Sequence, residues 1–92
     1  MSNNESLDPS TLELEQLLSL FIGLLSGKAW EYIGLRLPHG KSEPEKDLVK
    51  ASIAIDTVDF LVEKLVPTMS HIEAERIRGL VLDLKLNYAR QS

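Results

Sequence analysis

Three carboxylates with helical spacing are the first residues of this sequence that could do chemistry. Asp56, Asp59 and Glu63 stand at i, i+3 and i+7, so a helix would carry them on one side. Carboxylates grouped in this way can hold a hard cation or transfer protons. The same spacing is found on any solvated helix face, and the Glu-x-x-His pairs of carboxylate-bridged di-metal bundles are missing. The sequence therefore predicts no metal site, and these three residues are the candidates if a metal does bind.

Basic residues give these carboxylates a second interpretation. His71, Arg78 and Lys85 recur at i, i+7 and i+14, along one edge of a later helix. If the two helices form an antiparallel hairpin that turns near residue 68, Asp59 lies about level with Arg78 and the two edges pair. Exposed pairs of this kind set register and partner choice more than stability. We therefore expect an Asp59–Arg78 contact.

The remaining side chains do not specify an enzyme. The histidines are His39 and His71, and although His71 and Glu75 stand at i, i+4, the metal motif His-Glu-x-x-His is missing. Glycine-rich phosphate loops and Gly-x-Ser-x-Gly elbows are missing too. The chain has no cysteine, which excludes disulfides, thiolate metal sites and thiol nucleophiles. No catalytic residue and no cofactor is predicted, which favours a protein that is not an enzyme.

Start and stop signals predict the first two helices. Asp8-Pro9, or the overlapping capping box from Ser10 to Glu13, starts a helix near residues 9–11 that runs to about residue 35. Glu43-Pro44 starts the next helix, which continues through about residue 66 until a proline ends it. Proline at the first helical position supports both starts, and for the first helix the capping box is an alternative signal.

A third helix follows and fixes the fold class. The capping box from Ser70 to Glu73 predicts a helix over about 71–90. The fold class is all-α: a single three-helix domain over 9–92 behind a flexible tail at 1–8, in which helices two and three form an antiparallel hairpin.

The net charge and the hydropathy of the chain limit its possible binding partners and its cellular location. Ten basic and fourteen acidic residues give a net charge of −4, which opposes binding to nucleic acid and to anionic membranes. The longest strongly apolar stretch, 17–25, is far below the ~20 residues that span a bilayer, and the first residues do not resemble a signal peptide. The sequence therefore predicts a soluble, cytoplasmic protein.

Each predicted helix carries more apolar surface than one neighbour can bury. On helices two and three, a second apolar stripe lies opposite the stripe that faces the core. On helix one, apolar residues cover most of the circumference, and only a narrow sector of small and polar residues remains. We expect copies of the domain to pack through these second faces into a homo-oligomeric multi-helix bundle, with a dimer as the expected state because dimers are the commonest closed oligomers. Singly exposed apolar residues are the alternative, since they are common on any surface. The predicted interface residues are Gly23, Gly27, Trp30, Ile53, Phe60, Leu82 and Leu86.

The helical motifs resemble those of an uncharacterised bacterial family. Within 48–58, the second predicted helix carries alanine at position 51 followed by Ile55-Asp56. The last helix carries an Asp-Leu-basic pattern at Asp83-Leu84-Lys85, followed by Tyr88. A segment with Ile33, Gly34 and Pro38 is also similar. Over roughly 12–90 the chain resembles the small bacterial domain-of-unknown-function family eighteen-forty-four.

The resemblance implies a bacterial, cytosolic helical protein and no activity. Members of that family often carry a histidine near the end of helix one, where this chain reads Trp30-Glu31-Tyr32. That difference weakens any histidine-based site. The matched residues most worth testing are Asp56, Asp83 and Tyr88, each of which also fits a packing role.

Two functions remain open at this point. The first is a homo-oligomeric helical bundle that acts as a protein-interaction or scaffold module, with itself and another protein as partners. The second is a ligand- or metal-binding bundle, or an enzyme, with a pocket lined by carboxylates. Its lining would be Asp56, Asp59, Glu63 and Trp30.

Overall fold

Three α-helices form the protein, whose structure is a computed structural model that describes residues 8–92. Except for Asp8, the predicted tail 1–8 lies outside the described residues. The helices are α1 (Leu14–Ile33), α2 (Leu48–Leu65) and α3 (His71–Gln91), with short 3-10 helices at Pro9–Thr11 and Val66–Thr68. The all-α class and the three-helix architecture are confirmed.

The start of α1 differs from the prediction because a 3-10 helix comes first. Asp8 caps that 3-10 helix, and its carboxylate accepts hydrogen bonds from both the amide and the hydroxyl of Ser10. Since the Ser10 hydroxyl is engaged there, the capping box from Ser10 to Glu13 does not form. Glu13 is instead the N-cap of α1, and its amide donates to the side chain of Gln16 at 3.0 Å.

A long-range contact moves the start of α2 beyond its predicted position. Gly34 ends α1 in the left-handed conformation, with φ of 95°, which glycine adopts without steric cost. The chain then returns so that the Asp47 amide donates to the Tyr32 carbonyl at 2.8 Å. Asp47 caps α2 by accepting from the amide of Lys50. The start predicted at Pro44 is therefore wrong, and α2 begins one turn later.

The third helix begins where its capping box predicts. Ser70 accepts from the Glu73 amide at 3.2 Å, and Glu73 accepts from the Ser70 amide at 3.1 Å. The connection from α2 is the second 3-10 helix followed by extended residues. Side chains that pair across α2 and α3 run in opposite sequence directions, so the predicted antiparallel hairpin is confirmed.

The core lies on one side of α2, which packs against both other helices. Small residues at Ala29, Ala51 and Ala54 are buried and let α1 and α2 lie close together. Larger aliphatic side chains fill the space between the three helices. The buried core consists of Ile22, Ala29, Ile33, Ala51, Ala54, Ile55, Val58, Val62, Leu65, Val81 and Leu84. Each helix thus has an outer face that the rest of the described chain leaves uncovered.

Candidate functional site

The acidic edge of α2 lies directly against the basic edge of α3. The two oxygens of Glu63 accept from Nη2 and Nε of Arg78 at 2.9 and 3.0 Å, which is a bidentate pair. Asp59 Oδ2 accepts from Lys85 Nζ at 2.7 Å. The predicted pairing of the two edges is confirmed, but the predicted Asp59–Arg78 contact is wrong by one helical turn.

The geometry of the connection explains this difference in register. The 3-10 helix Val66–Thr68 continues the chain beyond α2, and the two residues after it, Met69 and Ser70, are extended. The chain therefore turns back later than the position near residue 68 that equal spacing assumes, and a residue of α2 closer to the connection reaches the level of Arg78. The residue level with Arg78 is Glu63, and Asp59 reaches the next basic residue, Lys85.

These contacts keep the paired groups charged. The guanidinium of Arg78 donates to Glu63 and holds the pKa of that carboxyl below its usual value. The hydrogen bond to Asp59 raises the pKa of the Lys85 ammonium. A general acid or base works best with a pKa near the ambient pH, and these shifts move the pKa values of both groups away from neutrality. The edge is suited to holding two helices in register.

The carboxylates do not form a metal cluster. Within residues 8–92, no three His, Asp or Glu side chains stand together in a way that could hold a metal ion. Asp56 is exposed, and it borders a shallow cavity of about 210 Å³ together with Lys85 and Tyr88. Trp30, assigned to the same pocket in the ligand-binding interpretation, packs against the hydrophobic core instead.

The histidines lie apart from these carboxylates. His71 is the first residue of α3, and its Nε2 lies 3.5 Å from Oε2 of Glu75, one turn later on the same exposed face. His39 is exposed in the connection between α1 and α2. A single His–Glu pair on a solvated helix start is an ordinary surface interaction.

A groove between α1 and α2 has a volume of about 280 Å³. Leu25, Ile53 and Ala54 make it predominantly apolar, and Lys50 Nζ stands 5.6 Å from the ring centre of Tyr32 at one end. Sequence reasoning did not find this groove, because its lining comes from two helices whose relative rotation is set by tertiary packing. The amphipathic patterns alone contain no signal for it.

The predicted second faces of α2 and α3 are exposed in the single chain. Ile53 and Phe60 on α2 are 62% and 61% exposed, and Leu82 and Leu86 on α3 are 57% and 46% exposed. This is the arrangement that the two-sided apolar periodicity predicts. Whether another chain covers these faces stays a prediction.

On α1 the exposed surface differs from the expectation based on glycine. A β-carbon on Gly23 would meet no atom of the described chain within 4 Å, and one on Gly27 would meet only the Arg36 side chain. No helix described between residues 8 and 92 packs on either glycine, and Trp30 is half-buried. Large apolar residues of α1 that the sequence did not single out are exposed beside these glycines: Leu14, Leu20, Phe21 and Leu24.

Comparison with known proteins gives one match. A family model described as "Domain of unknown function (DUF1844)" matches residues 15–90, which agrees with the resemblance of the helical motifs. No curated protein and no solved structure matches significantly. None of the helices described between residues 8 and 92 has the length and apolar character to cross a membrane.

Proposed function

This chain belongs to the DUF1844 family, whose description assigns no activity, and we propose that it is a homo-oligomeric helical bundle that acts as a protein-interaction or scaffold module. The assembly proposed is a dimer, since twofold pairs are by far the commonest closed oligomers. Its partners are a second copy of the chain and another protein, not nucleic acid or membrane. We also propose a bacterial origin and a cytoplasmic location.

The exposed apolar surface carries the proposal. Among the described residues, large apolar side chains stay exposed on the outer faces of all three helices, including Leu24 at 60%, Phe60 at 61% and Leu82 at 57%. Monomeric soluble proteins rarely expose large contiguous apolar patches, and such patches mark protein contacts. The proposal requires that at least one of these faces is covered in the assembly.

The ligand- or metal-binding alternative lacks comparable support. Two of its three carboxylates, Asp59 and Glu63, already bind Lys85 and Arg78. The candidate tryptophan packs in another part of the domain. A carboxylate that is paired with a basic residue of α3 is not free to bind a cation at the same time. The observed pairs therefore favour a role in fixing the register of α2 against α3.

Sedimentation velocity of the wild-type chain over the micromolar range tests the proposal. A mass that rises with concentration to twice that of the chain, or higher, supports it. A monomer at every concentration contradicts it. Native mass spectrometry with and without added divalent cations tests the alternative in parallel, because bound metal that disappears in Asp59→Asn would favour a metal site.

A further inference from the structure

We infer that α1 carries the self-association face, and that two copies of this chain pair antiparallel along Leu14, Leu17, Phe21 and Leu24. These four residues are the α1 stripe. The inference rests on the proposed function and deepens it, because it names the face and the orientation of the partner. In such a dimer the outer faces of α2 and α3 stay available to a different protein.

The spacing of the α1 stripe is that of a helix that packs against another helix. Its members follow one another at intervals of three, four and three residues, which are the a and d positions of a heptad. Leu14 and Leu24 at the two ends are 65% and 60% exposed, and Phe21 is 42% exposed. Leu17 is half-buried. The stripe therefore has coiled-coil periodicity, and three of its four residues are exposed.

The α1 stripe is also the least polar of the three outer faces. From Leu14 up to Lys28, the only charged residue of α1 is Glu15, which lies about a quarter turn away from Leu14. On α2, Asp56 interrupts the corresponding face, and Lys64 Nζ stands 5.3 Å from the ring centre of Phe60. Charges that border an apolar face make its contact with water less unfavourable, so α1 gains most from a partner.

The outer face of α3 is interrupted in a similar way. Glu75 and Gly79 separate Ile72 from Leu82, and both are exposed. Three consecutive turns of α3 therefore contribute few apolar contacts on that side. Only α1 offers an uninterrupted apolar stripe to a second helix.

Charge determines the orientation of the two copies. The next a and d positions after the α1 stripe are Lys28 and Glu31, which pair with each other at 3.4 Å. The Lys28 side chain is 58% exposed, and parallel helices in register would bring it against Lys28 of the partner subunit, which is unfavourable.

Antiparallel helices avoid this conflict. Leu14 then lies level with Leu24 of the partner subunit, and Leu17 lies level with Phe21 of the partner subunit. Lys28 falls beyond the apolar overlap, beside the start of the other α1, where Glu13 and Glu15 are acidic. The arrangement is symmetric, apolar in its centre and complementary in charge at its ends.

Matched charge substitutions on the three faces test which face associates. Leu24→Glu is expected to raise the dissociation constant of the dimer by about 30-fold or more. Ile53→Glu on α2 and Leu82→Glu on α3, at 62% and 57% exposure, are controls with the same new charge and are expected to leave it within about 3-fold. Far-UV circular dichroism checks that all three variants stay helical. Dissociation by either control, with Leu24→Glu still dimeric, overturns the inference but leaves the proposed function in place, whereas a monomeric wild type overturns both.

Cross-linking between single cysteines tests the orientation, since the natural chain contains none. Leu14→Cys and Leu24→Cys are mixed and treated with a short bis-maleimide, and the products are identified by mass spectrometry. The antiparallel pair predicts links mainly between position 14 and position 24. Links mainly between identical positions overturn the antiparallel arrangement. Yields no higher than that of Ser42→Cys, which is exposed in the connection before α2, overturn the α1 face itself.

Discussion

Lys85 Nζ lies 2.7 Å from Asp59 Oδ2, so Asp59 binds a residue about two turns further along α3 than Arg78, the partner that equal spacing from the connection suggests. Arg78, about two turns of α3 closer to the connection, binds Glu63, which is about one turn of α2 closer to it. The two pairs therefore span about one turn of α2 and about two turns of α3. They fix one register, because a slip by one turn would leave at least one charge without its partner.

A double-mutant cycle measures the Asp59–Lys85 contact. For Asp59→Asn combined with Lys85→Gln, read by urea unfolding at fixed protein concentration, we expect a coupling of ~0.2–1 kcal/mol that falls in high salt. The control cycle combines Asp59→Asn with Arg78→Gln and is expected to show clearly weaker coupling. Equal coupling in the two cycles would contradict the observed register.

The Glu63–Arg78 pair predicts a dependence of stability on pH. Hydrogen bonds from Arg78 lower the pKa of Glu63 in the folded state, so the unfolded state binds the proton more readily. The pair therefore contributes fully above the usual glutamate pKa of about 4.3, and its contribution is lost as the pH falls through the lower pKa of the folded state. Wild type is expected to exceed Glu63→Gln in free energy of unfolding at neutral pH, and the difference is expected to vanish in strong acid. A difference that persists unchanged below pH ~3 would mean that packing, not the ion pair, causes it.

Local signals predicted the helices, and long-range contacts account for the errors. The side chains of Ser70 and Glu73 cap the start of α3 reciprocally, so this start can be predicted from four adjacent residues. The start of α2 cannot, because the Asp47 amide binds the Tyr32 carbonyl from another helix. Proline at position 44 is a start signal of the usual kind, and the tertiary contact overrides it.

The candidate site was predictable to a similar extent. Periodicity predicted that Phe60 and Leu82 lie opposite the core, and both are exposed. It did not distinguish the outer face of α1, where the apolar arc is so broad that the half-buried and the exposed leucines look alike in the sequence. In the structure Ile22 is buried in the core, whereas Phe21 and Leu24 are exposed. The side of α1 that faces outward is therefore known only from the packed structure.

Glycine substitutions test whether α1 makes a close contact at Gly23. With no described atom within 4 Å of its β-carbon position, Gly23→Ala is expected to raise the free energy of unfolding of the single chain by ~1 kcal/mol through helix propensity. Gly34→Ala is the control and is expected to lower it by ~1 kcal/mol, because its φ of 95° suits glycine alone. Thermal unfolding at a protein concentration below the dissociation constant of the dimer measures both changes in stability. Destabilisation by Gly23→Ala at concentrations well above the dissociation constant of the dimer, but not below it, would indicate a close contact with a partner chain at that position.

The last prediction concerns Ser26, whose side chain is buried in α1 with its hydroxyl unpaired in the described part of the chain. A buried hydroxyl without a hydrogen bond costs ~1–3 kcal/mol, and alanine removes it without adding volume. Ser19, exposed on the same helix, provides the control, because Ser19→Ala changes helix propensity alone, by ~0.5 kcal/mol. We expect Ser26→Ala to raise the free energy of unfolding by ~1 kcal/mol more than Ser19→Ala does, as measured by urea unfolding at one protein concentration. Equal effects would indicate that the Ser26 hydroxyl is satisfied in solution, and a loss of stability would indicate that it makes a hydrogen bond on which the packing of α1 depends.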